Sequence, residues 1–193
     1  MPISRLACAL SLATCLAVLS GPAMAAEPEN TMIIELKDGE VVVALRPDLA
    51  PKHVAQIKKL VRDSAYDNVA FHRVIEGFMA QTGDVEFGDM EDGFRPDRAG
   101  TGGSDLPDIP AEFSDEPYVR GTVGMARAQN PDSANSQFFI TFGDADFLNG
   151  QYTVVGQVES GMEFVDAIKR GDPNNNGAVS DPDRMVDVRM AAD

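Results

Sequence analysis

Alternation of apolar and polar residues at a period of two recurs along most of this chain, and that pattern commits it to a sheet. Met32, Ile34 and Leu36 alternate with Ile33, Glu35 and Lys37 over Thr31 to Lys37, and Val41, Val43 and Leu45 repeat the pattern before Pro47. Asp38-Gly39 between the two runs reads as a type I′ hairpin turn. Further strand patterns cover Val69 to Ile75, Phe78 to Gln81, Thr122 to Arg127, Gln137 to Phe142, Val154 to Val158 and Met185 to Met190. Two segments carry the helical period instead. Pro51 to Arg62 sets Val54, Ile57, Leu60 and Val61 on one face, with Pro51 suited to a first turn. Met162 to Arg170 sets Phe164, Val165 and Ile168 together, with Gly171 expected at its C′ position. Many antiparallel strands with two helices predict a barrel whose ends the helices close, while a sandwich decorated by helices satisfies the same periodicity.

Between these elements, Asp84 to Tyr118 holds eleven acidic residues against two arginines, with many Gly and Pro and no clear period. It reads as a long irregular excursion with short strand pieces. A loop of this length inside a compact domain is functional or ordered by its own packing; the bland reading of its charge is a solvated surface.

The first residues form a different unit. Met1 to Arg5 carries one positive charge, Leu6 to Leu19 is an apolar run, Ser20-Gly21-Pro22 breaks it, and Ala23-Met24-Ala25 places small residues before a cut. This is the pattern of an export signal over residues 1–25, which leaves residues 26–193 as a single domain. A lipoprotein cut at Cys15 fits less well, because Cys15 lies inside the apolar run and Thr14 is bulky for that cleavage. Both cysteines, Cys8 and Cys15, fall in the signal, so the exported domain has no disulfide and relies on burial. The expected location is periplasmic or secreted, with no membrane span in the domain.

Composition then narrows the function. Apolar residues make up 44% and charged residues 24% of the chain, as in ordinary globular proteins rather than disordered or polytopic membrane ones. A net charge of −15 argues against nucleic acid or an anionic lipid surface as partner. Only two histidines are present, His53 and His72, so a zinc site of nitrogen and sulfur ligands has too few donors. No serine lies in a nucleophile elbow, and Gly100, Gly102 and Gly103 do not lead from a strand into a helix. Asp172, Asn174, Asn176, Gly177 and Asp183 fall at calcium-loop spacing, but the last position lacks the long bidentate Glu and a strand follows. An Asn-rich turn explains that run more simply, and no metal or other cofactor is expected.

What stands out is one arginine among apolar and amide residues. On its strand Arg73 shares a face with Phe71 and Ile75, where an unpartnered guanidinium is costly. Gln137 and Phe139 share one face of a later strand, with Phe138 and Ile140 on the other, and Phe147-Leu148 precede a turn. Each apolar residue alone is readily explained as core, and Arg73 alone as half of a salt bridge.

Taken in order, Phe71-His72-Arg73-Val74-Ile75 with Gly77-Phe78-Met79, Gln81 and Gly83-Asp84 resembles the signature of the cyclophilin-type peptidyl-prolyl cis-trans isomerases. Ser133 to Ile140 is similar to their second motif, and Phe147 to Gly150 with Val154 to Val158 to their third; Gly100 to Gly103 and Gly161-Met162 also fit. The resemblance covers residues 30–192 and implies a mainly β, closed eight-stranded antiparallel barrel capped by two α-helices. It implies Arg73 and Gln81 as the catalytic pair, Arg73 donating to the prolyl amide and Gln81 holding it in register. Phe78, Met79, Phe139 and Leu148 would line a proline pocket. Ala126, Arg127 and Gln137 would flank the peptide, with Phe147 and Tyr152 at the rim. The implied partners are proline-containing peptides and unfolded exported proteins. Eukaryotic members carry Trp, His and Asn where this chain has Phe147, Tyr152 and Arg127. The missing indole N–H implies weak cyclosporin binding at most, and the extra cation a leaning toward acidic peptides. The alternative function is a proline-segment-binding chaperone or assembly module with little turnover.

Overall fold

The computed structural model describes residues 27–193, and the segment expected to be an export signal, with Cys8 and Cys15, lies outside the described residues. A hairpin opens the fold, β1 (Thr31–Leu36) and β2 (Gly39–Leu45), followed by helix α1 (Pro51–Arg62). Strands β3 (Arg73–Ile75), β4 (Met79–Thr82), β5 (Thr122–Met125), β6 (Phe138–Thr141) and β7 (Val154–Ser160) come next. Helix α2 (Met162–Ala167) and β8 (Asp187–Met190) close the chain. The strands form one antiparallel eight-stranded sheet in the order β3-β4-β6-β5-β7-β2-β1-β8.

The sheet curls, but its regular ladder stops short of the closed barrel expected from the sequence, because β3 and β8 at its two ends do not pair as strands. Irregular chain bridges the gap: Met185 N–H donates to the Val69 carbonyl, Phe71 N–H to Asp183, Val179 N–H to His72 and Val74 N–H to Gly177, at 2.8–3.1 Å. The bridging segment contains Gly171, Pro173, Gly177 and Pro182, residues that interrupt a regular ladder.

Period two places the core. Val74, Ala80, Ile140 and Val123 stand opposite one another across β3, β4, β6 and β5 and bury their side chains in one apolar interior. Helix α1 covers this interior with Val54, Ile57, Leu60 and Val61. Its N-cap, Ala50, offers no side-chain acceptor, and the Glu112 carboxylate from the long loop replaces it by accepting the Lys52 and His53 N–H groups at 3.1 Å each.

Two local expectations are corrected. The β1–β2 loop is Lys37-Asp38, since Leu36 pairs with Gly39, and neither loop residue has the positive φ that a type I′ turn requires. Gly39 answers a packing need instead: a Cβ there would lie 2.3 Å from the Phe164 ring. Helix α2 ends at Ala167, because Ile168 is extended (ψ 133°), and Gly171 N–H pairs with the Val74 carbonyl rather than capping the helix. Smaller offsets shift the ends of other strands, β7 running on to Ser160 and β4 to Thr82, and only Arg73–Ile75 of the predicted run from Val69 to Ile75 forms a regular ladder.

Candidate active site

The same register builds the other face of the sheet. Arg73 on β3 stands opposite Gln81 on β4, Gln81 opposite Phe139 on β6, and Phe139 opposite Gly124 on β5, which in turn faces Val154 on β7. This row runs across five strands. Two residues away along the strands, Ile75, Met79 and Gln137 lie on the same face.

Its apolar members form a second cluster, distinct from the interior. Met79, Tyr118, Phe139, Ala145, Leu148 and Val154 are buried in it, with Ile75, Phe78, Ala126 and Tyr152 packed against them. Phe139 stacks on Tyr118 at 5.8 Å and meets the edge of Tyr152 at 6.0 Å. Phe147 is 64% exposed and rests its ring 5.2 Å from that of Phe78, so it forms a rim rather than a floor. Gly124 makes room for the stack, because a Cβ there would come within 2.4 Å of the Tyr118 hydroxyl and 2.6 Å of Phe139.

At the edge of this apolar surface lies a chain of directed hydrogen bonds. Arg73 Nη1 donates to Gln81 Oε1 at 3.1 Å, Gln81 Nε2 to Gln137 Oε1 at 2.9 Å, and Gln137 Nε2 to the Gly102 carbonyl at 2.8 Å. The direction is forced. A guanidinium only donates, so Gln81 must turn its oxygen to Arg73 and its NH₂ to Gln137, which repeats the choice. Arg73 Nη1 also lies 3.9 Å from Met79 Sδ, against the apolar cluster. Burial lowers the pKa of Arg73 from its ordinary value, the Tyr152 interaction opposing the shift, yet a guanidinium stays charged. Beside the row, a cavity of about 470 Å³ is lined by Gln81, Gly102, Ser104, Ala126, Arg127 and Gln137, among others.

Ten of the eleven candidate residues converge on one surface through these contacts: Arg73, Gln81, Phe78, Met79, Ala126, Gln137, Phe139, Phe147, Leu148 and Tyr152. Arg127 joins them on the wall of the adjoining cavity. It stacks on Tyr152 at 4.4 Å, while Nη1 and Nη2 donate to the Ala128 and Gln151 carbonyls at 2.9 and 3.0 Å. The guanidinium thus ties two rim turns together. Tyr118, Gly124 and Asn176 are not among the site residues that the sequence points to. Tyr118 ends a segment with no period, Gly124 matters only for what approaches it, and Asn176 was weighed as a calcium-loop position. Those calcium-loop positions point apart: Asp172 accepts the Asn174 N–H, Asn176 contacts Arg73, and Asp183 pairs with Lys37.

Fold and surface together define a curled antiparallel sheet that carries an apolar socket with a hydrogen-bonded guanidinium at its edge. The profile of the family described as cyclophilin type peptidyl-prolyl cis-trans isomerase/CLD matches residues 31–190. A probable peptidyl-prolyl cis-trans isomerase of Brucella suis biovar 1 (strain 1330) is 69% identical over 171 residues, spanning 89% of this chain and 87% of its own length. Peptidyl-prolyl cis-trans isomerase B of Bacillus subtilis (strain 168) is 38% identical over 140 residues, 71% of this chain and 89% of its own. Among solved structures, a cyclophilin from Hirschia baltica superposes with a TM-score of 0.73 at 27% identity, covering 87% of this chain and 76% of that one. A Cryptosporidium parvum cyclophilin solved in the presence of the dipeptide Ala-Pro gives 0.70 at 26% identity, covering 83% and 98%. The chain belongs to the cyclophilin-type peptidyl-prolyl cis-trans isomerase family, and its activity is that of a peptidyl-prolyl cis-trans isomerase.

Proposed function

We propose that Arg73 is the group that accelerates rotation and that the clients are exported proteins waiting on slow proline steps. Amide resonance sets a barrier of about 20 kcal/mol to X–Pro rotation, so the bond turns over in tens to hundreds of seconds unaided. No bond need form or break. The protein has only to bind the twisted amide more tightly than either planar isomer. As the bond twists, the prolyl nitrogen regains a lone pair, and a donor aimed at it stabilises the twisted state alone. An acceleration of about 10⁵-fold corresponds to about 7 kcal/mol.

The observation that carries this reading is the placement of Arg73. Its Nη1 is shared between Gln81 and the Met79 side of the socket, so a proline ring held by Phe78, Met79, Phe139 and Leu148 brings its amide within the guanidinium's reach. A donor fixed before the substrate arrives needs no reorganisation when the charge develops, and water exclusion by the apolar floor strengthens it. Ala126, Gln137 and the adjoining cavity leave room for the flanking peptide. Phe147 and Tyr152 bound the entrance, and a rim without an indole N–H favours weak cyclosporin binding, which calorimetry tests; tight binding would contradict it.

Export rests on the n-region, apolar run and small-residue cleavage pattern of Met1 to Ala25. Among the described residues no helix is long and apolar enough to cross a membrane. Mass spectrometry of the protein recovered from cells is expected to find Ala26 at the N-terminus; an intact Met1 would refute export. Refolding of an exported protein limited by a proline step is expected to lose its slow phase when catalytic amounts of the domain are added, and an unchanged phase would refute the client assignment.

A further inference from the structure

Gln81 holds only one side of the Arg73 guanidinium. The other side is gripped by Asn176, which accepts twice: its main-chain oxygen takes the Nε–H at 3.0 Å and its side-chain Oδ1 takes an Nη2–H at 3.0 Å. Of the five guanidinium N–H groups, three are therefore fixed by Asn176 and Gln81, and Nη1 also approaches Met79. With Nε, Nη1 and Nη2 all anchored, the planar group can neither rotate about its last torsion nor swing off the socket without breaking at least one bond.

Asn176 is exposed, so its grip depends on a backbone that does not move. The local chain supplies one. Asp172 caps the short 3₁₀ turn Pro173–Asn175 by accepting the Asn174 N–H at 2.8 Å, and Gly177 N–H donates back to the Asp172 carbonyl at 2.9 Å. Asn176 then takes the left-handed conformation at φ 50°, which Asn tolerates and which turns both its oxygens to one side. The turn is registered to the arginine's own strand, since Val74 N–H donates to the Gly177 carbonyl at 2.8 Å and Gly171 N–H to the Val74 carbonyl at 2.9 Å. A Cβ at Gly177 would lie 2.5 Å from Ile75 Cγ1, so the turn sits directly on β3.

We propose that Asn176 is a positioning residue for the isomerisation, its two oxygens forming with Gln81 a three-point clamp that aims the Arg73 guanidinium at the prolyl amide. The inference rests on the assignment of Arg73 as the accelerating group. A left-handed turn alone would be served as well or better by glycine. What glycine lacks is the second acceptor, and that separates a positioning role from a turn-forming one.

The test follows from that difference. Asn176→Gly keeps the left-handed backbone and the main-chain oxygen and, of the two contacts with Arg73, removes only the one through Oδ1. Isomerisation of a proline peptide is expected to fall about three- to tenfold in kcat, the worth of one hydrogen bond, with KM and melting temperature unchanged. Asn176→Asp, which restores an oxygen acceptor, is expected to recover the rate. In an Arg73→Ala background Asn176→Gly is expected to cost nothing further, because no guanidinium remains to aim. Wild-type kcat in Asn176→Gly would overturn the proposal, as would a loss confined to KM, a failure of Asn176→Asp to recover, or an equal loss in the Arg73→Ala background. Wild-type-like turnover by Arg73→Ala alone would instead refute the assignment of Arg73, so the two failures are distinguishable.

Discussion

In the sheet, Val74, Ala80, Ile140 and Val123 stand across four neighbouring strands and share one apolar interior, so each residue is held by many weak contacts and by the ladder on both sides. In the segment after Gly83, order comes from a few polar side chains, each holding several backbone groups. The fully buried Asp84 carboxylate accepts N–H groups from Glu86, Phe87, Gly100 and Gly102 at 2.6–3.2 Å. Asn135 Oδ1 accepts from Ser104, and its NH₂ donates to the Leu106 carbonyl and Asp108. Glu112 anchors the far end to helix α1 and to the His53 ring at 2.7 Å. A ladder distributes its strength, whereas these hubs concentrate it. Loss of one hub should free a whole stretch of loop and leave the sheet standing.

The largest break belongs to the sheet. Ile140 is 1% exposed in the interior, and Ile140→Ala is expected to cost toward the upper end of about 2–5 kcal/mol. Denaturant unfolding should show one cooperative transition at lower midpoint, with hydrogen exchange faster everywhere. Asp84→Ala is expected to cost about 3 kcal/mol: of its four donors only the Phe87 N–H makes a fully buried bond, and one buried donor left unpaired costs about 1–3 kcal/mol while the part-buried three can turn to water. Here hydrogen exchange should rise first at Glu86 to Gly102 while β1 and β2 stay protected. Uniform exchange in both variants would erase the distinction between the two regions.

Acid probes the junction between them. His72 is buried, its ring 3.0 Å from where a Cβ on Gly100 would sit. Burial lowers its pKa, with the Asp84 charge and contacts to the Ala70 main chain and Gln137 opposing. The unfolded chain therefore binds this proton first, and stability falls as pH drops below about 6.5. Glu112 contributes lower down. Burial pushes its carboxyl up, but bonds from the His53 ring and the His53 and Lys52 N–H groups outweigh burial and hold it below its ordinary value. Its contribution is present above about pH 4.5 and is lost as pH falls through the folded value. His72→Gln should flatten the stability curve just below about pH 6.5, and Glu112→Gln the part below about pH 4.5. An unaltered curve in either variant would contradict the corresponding assignment.

The same contrast explains what could be read from the sequence. The strands and helix α1 are governed by neighbours two, three or four residues away, so periodicity finds them. Helix α2 misleads because Ile168 continues the apolar face of Phe164 and Val165 and Gly171 looks like a C′ stop, while Lys169 N–H is drawn away to the Asp183 carboxylate at 2.8 Å. The order of the long loop is invisible to any window, since Asp84 reaches Gly102 and Glu112 reaches His53 across many residues. In the site, the apolar and amide residues carry family motifs and were legible as a set. Asn176 and Gly124 were not, because one acts on an arginine 103 residues away and the other by what it leaves empty.

The central claim is that one fixed guanidinium beside an apolar socket turns the proline amide. Its most direct test is the rate of cis-trans exchange in a proline peptide, measured for the wild type and for Arg73→Ala, with peptide affinity measured in parallel. The expected result is a fall of about 10²–10³-fold in kcat/KM, the usual loss of one transition-state donor, with affinity nearly unchanged. A variant that isomerises as fast as the wild type, or that slows only because it no longer binds, would contradict the account.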